Sequence, residues 1–191
     1  ALIMGNPNQD RIILNEKSLW SGGVQDSDRE DAHLYLKEIQ DLLLKGNNKE
    51  AQELLQEHFV SKGRGSGFGN GANDPYGSYQ TLGDLWINWT DTLAPYSEYK
   101  RILDLENAFA VTSWNRNGIT YIQEAYTSIA DDALIIKLTA SEKGKINFST
   151  TLNRKENVKI YSVKDNEVSM SGQLPNGDQP GMKFAALLKV I

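Results

Sequence analysis

Cysteine is absent from these 191 residues, and histidine occurs only twice. Without cysteine the chain can form neither a disulfide nor a thiolate metal site. His33 and His58 belong to no H-E-x-x-H motif, so we expect packing or surface roles for both and predict no metal site. The sequence also has no G-x-S-x-G and no G-K-[ST], so neither a serine-hydrolase triad nor a P-loop is indicated, and we predict no cofactor.

Basic clusters and long apolar runs are missing as well. The formal net charge is −5, and lysine and arginine are scattered along the chain, which argues against a nucleic-acid-binding surface. No run of about 18 apolar residues occurs, so the sequence predicts no membrane span. Hydrophobic residues make up 39%, an ordinary share for a globular domain of this size.

Glycine is concentrated in residues 61–80, which predict a long loop. Within this segment, residues 67–72 fit a loose G-x-G-x-x-A pattern. A dinucleotide site needs a strand before such a loop and a helix after it. The loop follows a predicted helix instead, so we expect no phosphate site here.

A two-helix hairpin is predicted over residues 28–60. Gly46 marks the end of the first helix, and Asn47 with Glu50 resembles a capping box that begins the second. Acidic residues are expected in the first turn of the first helix, where the helix dipole favours them; these are Asp28, Glu30 and Asp31. Apolar residues recur at helical spacing; they are Ala32, Tyr35, Leu36, Ile39, Leu42 and Leu43, then Ala51, Leu54, Leu55 and Phe59.

Most of the remaining sequence has the pattern of short strands. Residues 2–4 and 11–14 are apolar and separated by the turn formers of residues 6–10, which predicts a hairpin. Asn117-Gly118 predicts another. Strands are predicted at 84–89, 98–105, 108–115, 119–128, 133–140, 145–153, 157–163, 167–171 and 183–191. The expected fold is mainly β: a large antiparallel β-sandwich with the two-helix hairpin inserted at about 28–60.

Several acids and tryptophans are candidates for chemistry. Two carboxylates suffice for glycoside hydrolysis. Glu16, close to Trp20, is the most site-like acid, whereas Asp131-Asp132 is explained by a polar turn between strands. In the strand at 84–89, Trp86 shares a face with polar neighbours, which suits a contact with another domain or with a sugar ring.

Three segments carry a resemblance to a known family. They are RIILNEKSLWSGG (11–23), GSYQTLGDLWINW (77–89) and YKRILDLENAFAVTSWNRNGITYIQEAYTSIADDALIIKLTAS (99–141). In this order, with a helical hairpin between the first two, they resemble the N-terminal domain of glycoside hydrolase family 95, which contains bacterial 1,2-α-L-fucosidases. The combination of L-N-E-x-x-L-W-S-G-G with S-Y-Q-x-L-G-D-L is specific, and the resemblance covers essentially the whole chain.

The resemblance implies that residues 1–191 form a supersandwich-like N-terminal domain, followed in the parent enzyme by an (α/α)6 barrel. In that family the catalytic acid and an asparagine-activated water belong to the barrel, and hydrolysis inverts the anomeric carbon. No catalytic residue is therefore expected in this chain. The implied partners are the C-terminal barrel and a fucosylated glycan, and a periplasmic or secreted bacterial location is expected. Both ends of the chain resemble the interior of a longer one.

The resemblance also makes two loops candidates for contact with the barrel or the substrate rim. The residues are Asn15, Glu16 and Trp20 in one loop, and Tyr79, Gln80 and Asp84 in the other. Gly22-Gly23 is explained by a turn that needs positive φ. Two alternatives stay open: a stand-alone carbohydrate-binding β-sandwich, and a structural domain that binds no glycan.

Overall fold

The computed structural model describes residues 1–23, 28–60, 77–176 and 179–191. Within them, the elements are β1 Leu2–Ile3, β2 Gln9–Leu14, α1 Ala32–Leu44, α2 Asn48–His58, β3 Gly83–Trp89, β4 Ser97–Asp104, β5 Phe109–Arg116, β6 Ile119–Ser128, β7 Ala133–Ala140, β8 Phe148–Asn153, β9 Val158–Lys164, β10 Glu167–Asn176 and β11 Gln179–Lys189. The predicted mainly β fold with an inserted two-helix hairpin is confirmed. The glycine-rich residues 61–76 lie outside the described part.

Two compact units make up the chain. The first contains Ala1–Lys17, Thr81–Gly172 and Ala185–Ile191, and the second contains Ser18–Gln80 and Gln173–Phe184. In the described residues no helix is long and apolar enough to cross a bilayer, since the longer helix, α1, has 13 residues.

Two four-stranded antiparallel sheets form the first unit, with strand orders β1-β2-β3-β8 and β4-β5-β6-β7. Alternate residues of β3 and β6 are buried, as a strand with one covered face requires. The two sheets share one apolar core. Its members include Ile12, Leu85, Ile87 and Leu152 from the first sheet, and Trp114, Ile119 and Tyr121 from the second. Because both sheets turn one face to this core, the unit is a β-sandwich.

Aromatic side chains fill one part of this core. The Trp89 ring packs edge-on against Trp114, with 5.2 Å between centroids, and against Tyr121, with 5.4 Å. Trp114 and Tyr121 stack, and burial raises the pKa of the Tyr121 phenol above its ordinary value. Trp89 and Trp114 therefore serve packing and are not available at the surface.

The third sheet has the order β11-β10-β9. In its β9–β10 pairing, Met170 lies opposite Ile160, and Met170 joins the core of the first unit. Glu167 is nearly buried at the start of β10 and forms ion pairs with Lys189, at 3.1 Å, and Lys164, at 3.5 Å.

Most strand boundaries fall within two residues of the predicted ones, and three differ more. The strand predicted from residue 145 begins at Phe148. The strand predicted at 167–171 continues to Asn176, and the last strand covers Gln179–Lys189. Pro175 and Pro180 interrupt the strand pattern in the sequence. Both lie next to strand ends in the structure, where proline is tolerated.

In the second unit, the end of α1 and the N-cap position of α2 at Asn47 agree with prediction, whereas the start of α1 differs from it. Gly46 has φ +79°, its N–H donates to Leu43 O, and the Asn47 N–H donates to Leu42 O. This is a Schellman motif. It explains why the predicted capping box of Asn47 and Glu50 is wrong: the Asn47 N–H that Glu50 would bind already closes α1, and Asn47 makes no side-chain cap bond.

The acidic residues before α1 are also placed differently. The helix begins at Ala32, so Asp28, Glu30 and Asp31 precede its first turn rather than occupy it. A turn precedes the helix instead and is closed by the Ala32 N–H, which donates to Arg29 O. The Leu34 N–H then donates to Asp31 O at the start of α1. The His33 ring contacts Glu30 O at 2.9 Å, and the His58 ring stacks on Tyr35 with 3.6 Å between centroids.

A buried carboxylate joins the two sheets of the sandwich. Asp10 has no exposed surface and points inward from β2, beside Ile12. It accepts hydrogen bonds from the Gly5 N–H at 2.5 Å, the Asn6 N–H at 3.2 Å and Gln123 Nε2 at 2.6 Å. Gln123 lies in β6 of the opposite sheet. Asp10 was expected in the turn of residues 6–10, but β2 begins at Gln9.

Replacing this carboxylate tests its role. Asp10→Ala leaves the Gly5 N–H and the Gln123 amide buried without their acceptor and removes a part-buried bond to the Asn6 N–H, and we expect a loss of about 3 kcal/mol in the free energy of unfolding. Urea denaturation of this chain measures the loss. The control is Asp41→Ala, which removes only an exposed helix ion pair with Lys37 and should change stability by less than about 0.5 kcal/mol. Equal losses in both variants would contradict the assignment.

Candidate functional site

Two of the predicted candidate loops meet in the second unit. Residues 19–21 run antiparallel to residues 78–80, with Trp20 opposite Tyr79. The Ser21 N–H donates to Ser78 O and the Gln80 N–H donates to Leu19 O, both at 2.9 Å. Trp20 and Tyr79 are thus a non-hydrogen-bonded pair, the arrangement that brings opposite side chains closest. We call residues 19–21 and 78–80 the aromatic bridge.

The aromatic bridge presents two large rings to solvent. The Trp20 and Tyr79 rings meet edge to face, with 5.7 Å between centroids and 66° between planes. Trp20 is 49% exposed and Tyr79 42%, whereas the neighbouring Leu19 is buried. This alternation explains the tryptophan within a polar stretch: Leu19 anchors the short strand and Trp20 lies on its outer face.

Polar side chains occupy the alternate positions of these two short strands, next to the rings in sequence but on the other face. The Ser21 and Ser78 hydroxyls are 3.0 Å apart, and Gln80 Nε2 donates to the Ser78 hydroxyl at 3.0 Å. Two half-exposed aromatic rings suit contact with a sugar ring or with another protein surface. The sequence did not single out Ser21 and Ser78, because their contact joins residues 57 positions apart.

The glycine pair fixes the chain that leaves the aromatic bridge. Gly22 has φ +75°, and its N–H donates to Pro175 O at 2.9 Å. A Cβ on Gly23 would lie 2.6 Å from Asn176 Nδ2. The positive φ predicted for this pair is found at Gly22, and at Gly23 a Cβ would require the Asn176 side chain to shift.

The other three candidates belong to the first unit. Asn15 and Glu16 are exposed and directly follow β2. Asp84 lies in β3 and forms an ion pair with Arg11 at 2.9 Å. The Arg11 guanidinium also lies 5.7 Å from the Trp86 ring centroid, on the face that the sequence assigned to Trp86. The structure thus brings together Trp20, Tyr79 and Gln80, and gives Asp84 a local partner.

The other two candidate acids, Asp131 and Asp132, lie in a turn. Asp131 Oδ2 accepts from the Ser128 hydroxyl at 2.6 Å, and Asp132 has φ +49°, which confirms the polar turn between β6 and β7. Across residues 1–23, 28–60, 77–176 and 179–191, no group of three or more histidine, aspartate and glutamate side chains is arranged to hold a metal ion.

A backbone substitution tests the geometry that holds the aromatic bridge. Gly22→Ala forces an L residue into positive φ, and we expect it to lower the free energy of unfolding by about 1 kcal/mol. Gly22→Asn is the matched control, because asparagine tolerates this region and should cost clearly less. Urea denaturation of both variants measures the difference. Equal costs would mean that contacts, rather than φ, require glycine.

Comparison with known proteins finds a matching family of N-terminal domains and similar segments in longer glycosidases. The family model described as "Glycosyl hydrolase family 65, N-terminal domain" matches residues 1–191. All of the chain aligns with 24% of alpha-L-fucosidase 2 of Arabidopsis thaliana, at 25% identity. Probable alpha-fucosidase A of Aspergillus oryzae is 27% identical over 72% of the chain and 18% of its own length, and that of Aspergillus niger is 26% identical over 91% of the chain and 21% of its length.

These relatives come from a plant and two fungi, so they give the expected bacterial origin no support. The chain spans about a quarter or less of their length. Because the family model covers the whole chain, the protein belongs to the family of glycosyl hydrolase family 65 N-terminal domains.

Proposed function

We propose that this chain is the non-catalytic N-terminal domain of an inverting α-L-fucosidase of the family 95 type, which degrades fucosylated glycans. The observation that carries the proposal is the alignment of the whole chain with part of an alpha-L-fucosidase. At least three quarters of that relative lies outside the aligned part, which leaves room for a catalytic (α/α)6 barrel. A periplasmic or secreted location is part of the proposal.

The acids of the chain support a non-catalytic role. Inverting hydrolysis needs two carboxyl groups about 6.5–9.5 Å apart, one to protonate the leaving oxygen and one to activate water. The Asp131 carboxylate accepts a hydrogen bond from the Ser128 hydroxyl within a turn, and Asp84 forms an ion pair with Arg11. Asp10 is fully buried and satisfied by three donors. The chemistry is therefore assigned to the part of the enzyme beyond this chain.

The aromatic bridge is then a supporting surface, at the barrel or at the rim of its active site. Two half-exposed rings give apolar area in one place, and the serine pair and the Gln80 amide hydrogen-bond across the two short strands that carry them. The same exposure favours a second candidate function, a carbohydrate-binding sandwich that acts without a barrel. In that case the isolated chain would bind a fucosylated oligosaccharide, and Trp20→Ala would abolish the binding.

The location of the chemistry is tested by release of fucose from a 2′-fucosylated oligosaccharide. We expect the full-length enzyme to release fucose and this chain alone, at matched concentration, to release none. The full-length enzyme with its barrel inactivated is the background control. Fucose release by the isolated chain would overturn the proposal and make Glu16, Asp131 and Asp132 the first residues to replace.

The aromatic bridge is tested in the full-length enzyme. Trp20→Ala removes an aromatic contact and Gln80→Ala a hydrogen bond to Ser78. Because either interaction is worth about 0.5–1.5 kcal/mol, we expect KM to rise by about 2- to 12-fold or the melting temperature to fall. Tyr161→Ala is the control, because Tyr161 is an equally exposed aromatic residue in β9. Unchanged kinetics and stability in both variants would exclude this role.

A further inference from the structure

The helical hairpin of the second unit has several exposed apolar side chains; Leu34 and Leu44 are isolated on other sides of α1, and four others line up along one side. Leu36 and Leu43 of α1 are 43% and 52% exposed, and Leu55 of α2 and the adjoining Phe59 are each 41% exposed. We call these four residues the leucine strip. Charged or polar residues normally occupy such positions on the outer side of a helix pair, so the strip needs an explanation.

The strip lies on a definite side of the hairpin. The helices bury Ile39 and Ala51, and Tyr35 stacks on His58 between them. Successive helical residues turn by about 100°, so Leu36 and Leu43 lie within about 20° of one another, to one side of Ile39, and Leu42 lies to the other side. By the same spacing, Leu55 and Leu54 lie on opposite sides of Ala51.

The opposite side is strongly acidic. Leu42 and Leu54 face a shared groove between the helices that is otherwise lined by four glutamates, Glu38, Glu50, Glu53 and Glu57. The hairpin is therefore two-sided: glutamates on one side keep it hydrated, and the leucine strip is on the other. An apolar surface retained against an acidic one is typical of a protein contact.

We infer that the leucine strip is a docking surface for the part of the glycosidase that lies beyond this chain, and this rests on the proposed function. A contact between separate molecules buries about 800 Å² on each partner. Four half-exposed side chains fall far short of that, so a second copy is a poor occupant. A covalently tethered partner has an effective concentration in the millimolar range and needs much less area. Relatives at least four times longer than this chain contain such a partner.

Photo-crosslinking in the full-length protein identifies the occupant. With p-benzoylphenylalanine at position 43 or 55, we expect crosslinks, mapped by mass spectrometry, to peptides C-terminal to residue 191 of the same molecule. Position 34 is the matched control, because Leu34 is 68% exposed on the same helix but about 160° away from Leu36. A crosslink to a second copy, to residues 61–76 of the same chain, or to no protein would each overturn the inference.

Introducing negative charge into the leucine strip gives an independent measurement. In the full-length protein, Leu43→Glu with Leu55→Glu should lower the melting temperature and increase cleavage by protease near residue 191, whereas Leu34→Glu should do neither. The isolated chain should unfold at the same urea concentration with or without the double change, since both side chains are already half exposed. Equal loss in the isolated chain would assign the strip to internal packing instead.

These readouts separate the two proposals. If the unmodified full-length protein releases no fucose, the proposed function fails, while the crosslinks still report whether the strip is covered. If fucose is released but the strip crosslinks to nothing beyond residue 191, only the docking surface is wrong.

Discussion

The sandwich depends on one buried anion that ties its two sheets together. Asp10 occupies an inward position of β2, where alternation calls for an apolar residue, and it accepts from both its own turn and Gln123 of the facing sheet. Nearby, the nearly buried Arg116 of β5 donates to Asn8, Pro7 O and Asp91 O. Apolar packing alone permits two sheets to slide, whereas these directional bonds to residues 5–10 allow only one alignment.

The sequence predicted the regular parts of this fold because period and turn chemistry are local. Alternation in β3 and β6 and the Asn117-Gly118 turn were sufficient to place the strands. Asp10 was assigned to a turn, since an aspartate after Asn6-Pro7-Asn8 has that local preference, and its burial follows from a partner 113 residues away. The capping box failed for the same reason. Two groups could accept from the Asn47 N–H, the Glu50 side chain and Leu42 O, and the bond to Leu42 O forms at the end of α1.

The candidate site was predictable only through the family resemblance. Periodicity does not pair residue 20 with residue 79, and the serine contact beside them crosses the whole helical insertion. The motifs L-W-S-G-G and S-Y-Q-x-L-G-D-L are joined by two backbone hydrogen bonds, from Ser21 N–H to Ser78 O and from Gln80 N–H to Leu19 O. Neither motif by itself explains its exposed aromatic residue, because Trp20 and Tyr79 pack against each other.

The proposed role in a longer enzyme constrains which residues this domain leaves at its surface. The first unit buries polar residues, Asp10, Arg116 and Glu167, whereas the second unit exposes large apolar and aromatic groups, at Trp20, Tyr79 and the leucine strip. A free-standing soluble domain gains nothing from that distribution, because exposed apolar area favours association. A tethered domain does gain, since the same area stabilises one intramolecular contact without a large interface. The distribution of residues thus favours a domain that functions only as part of a longer glycosidase.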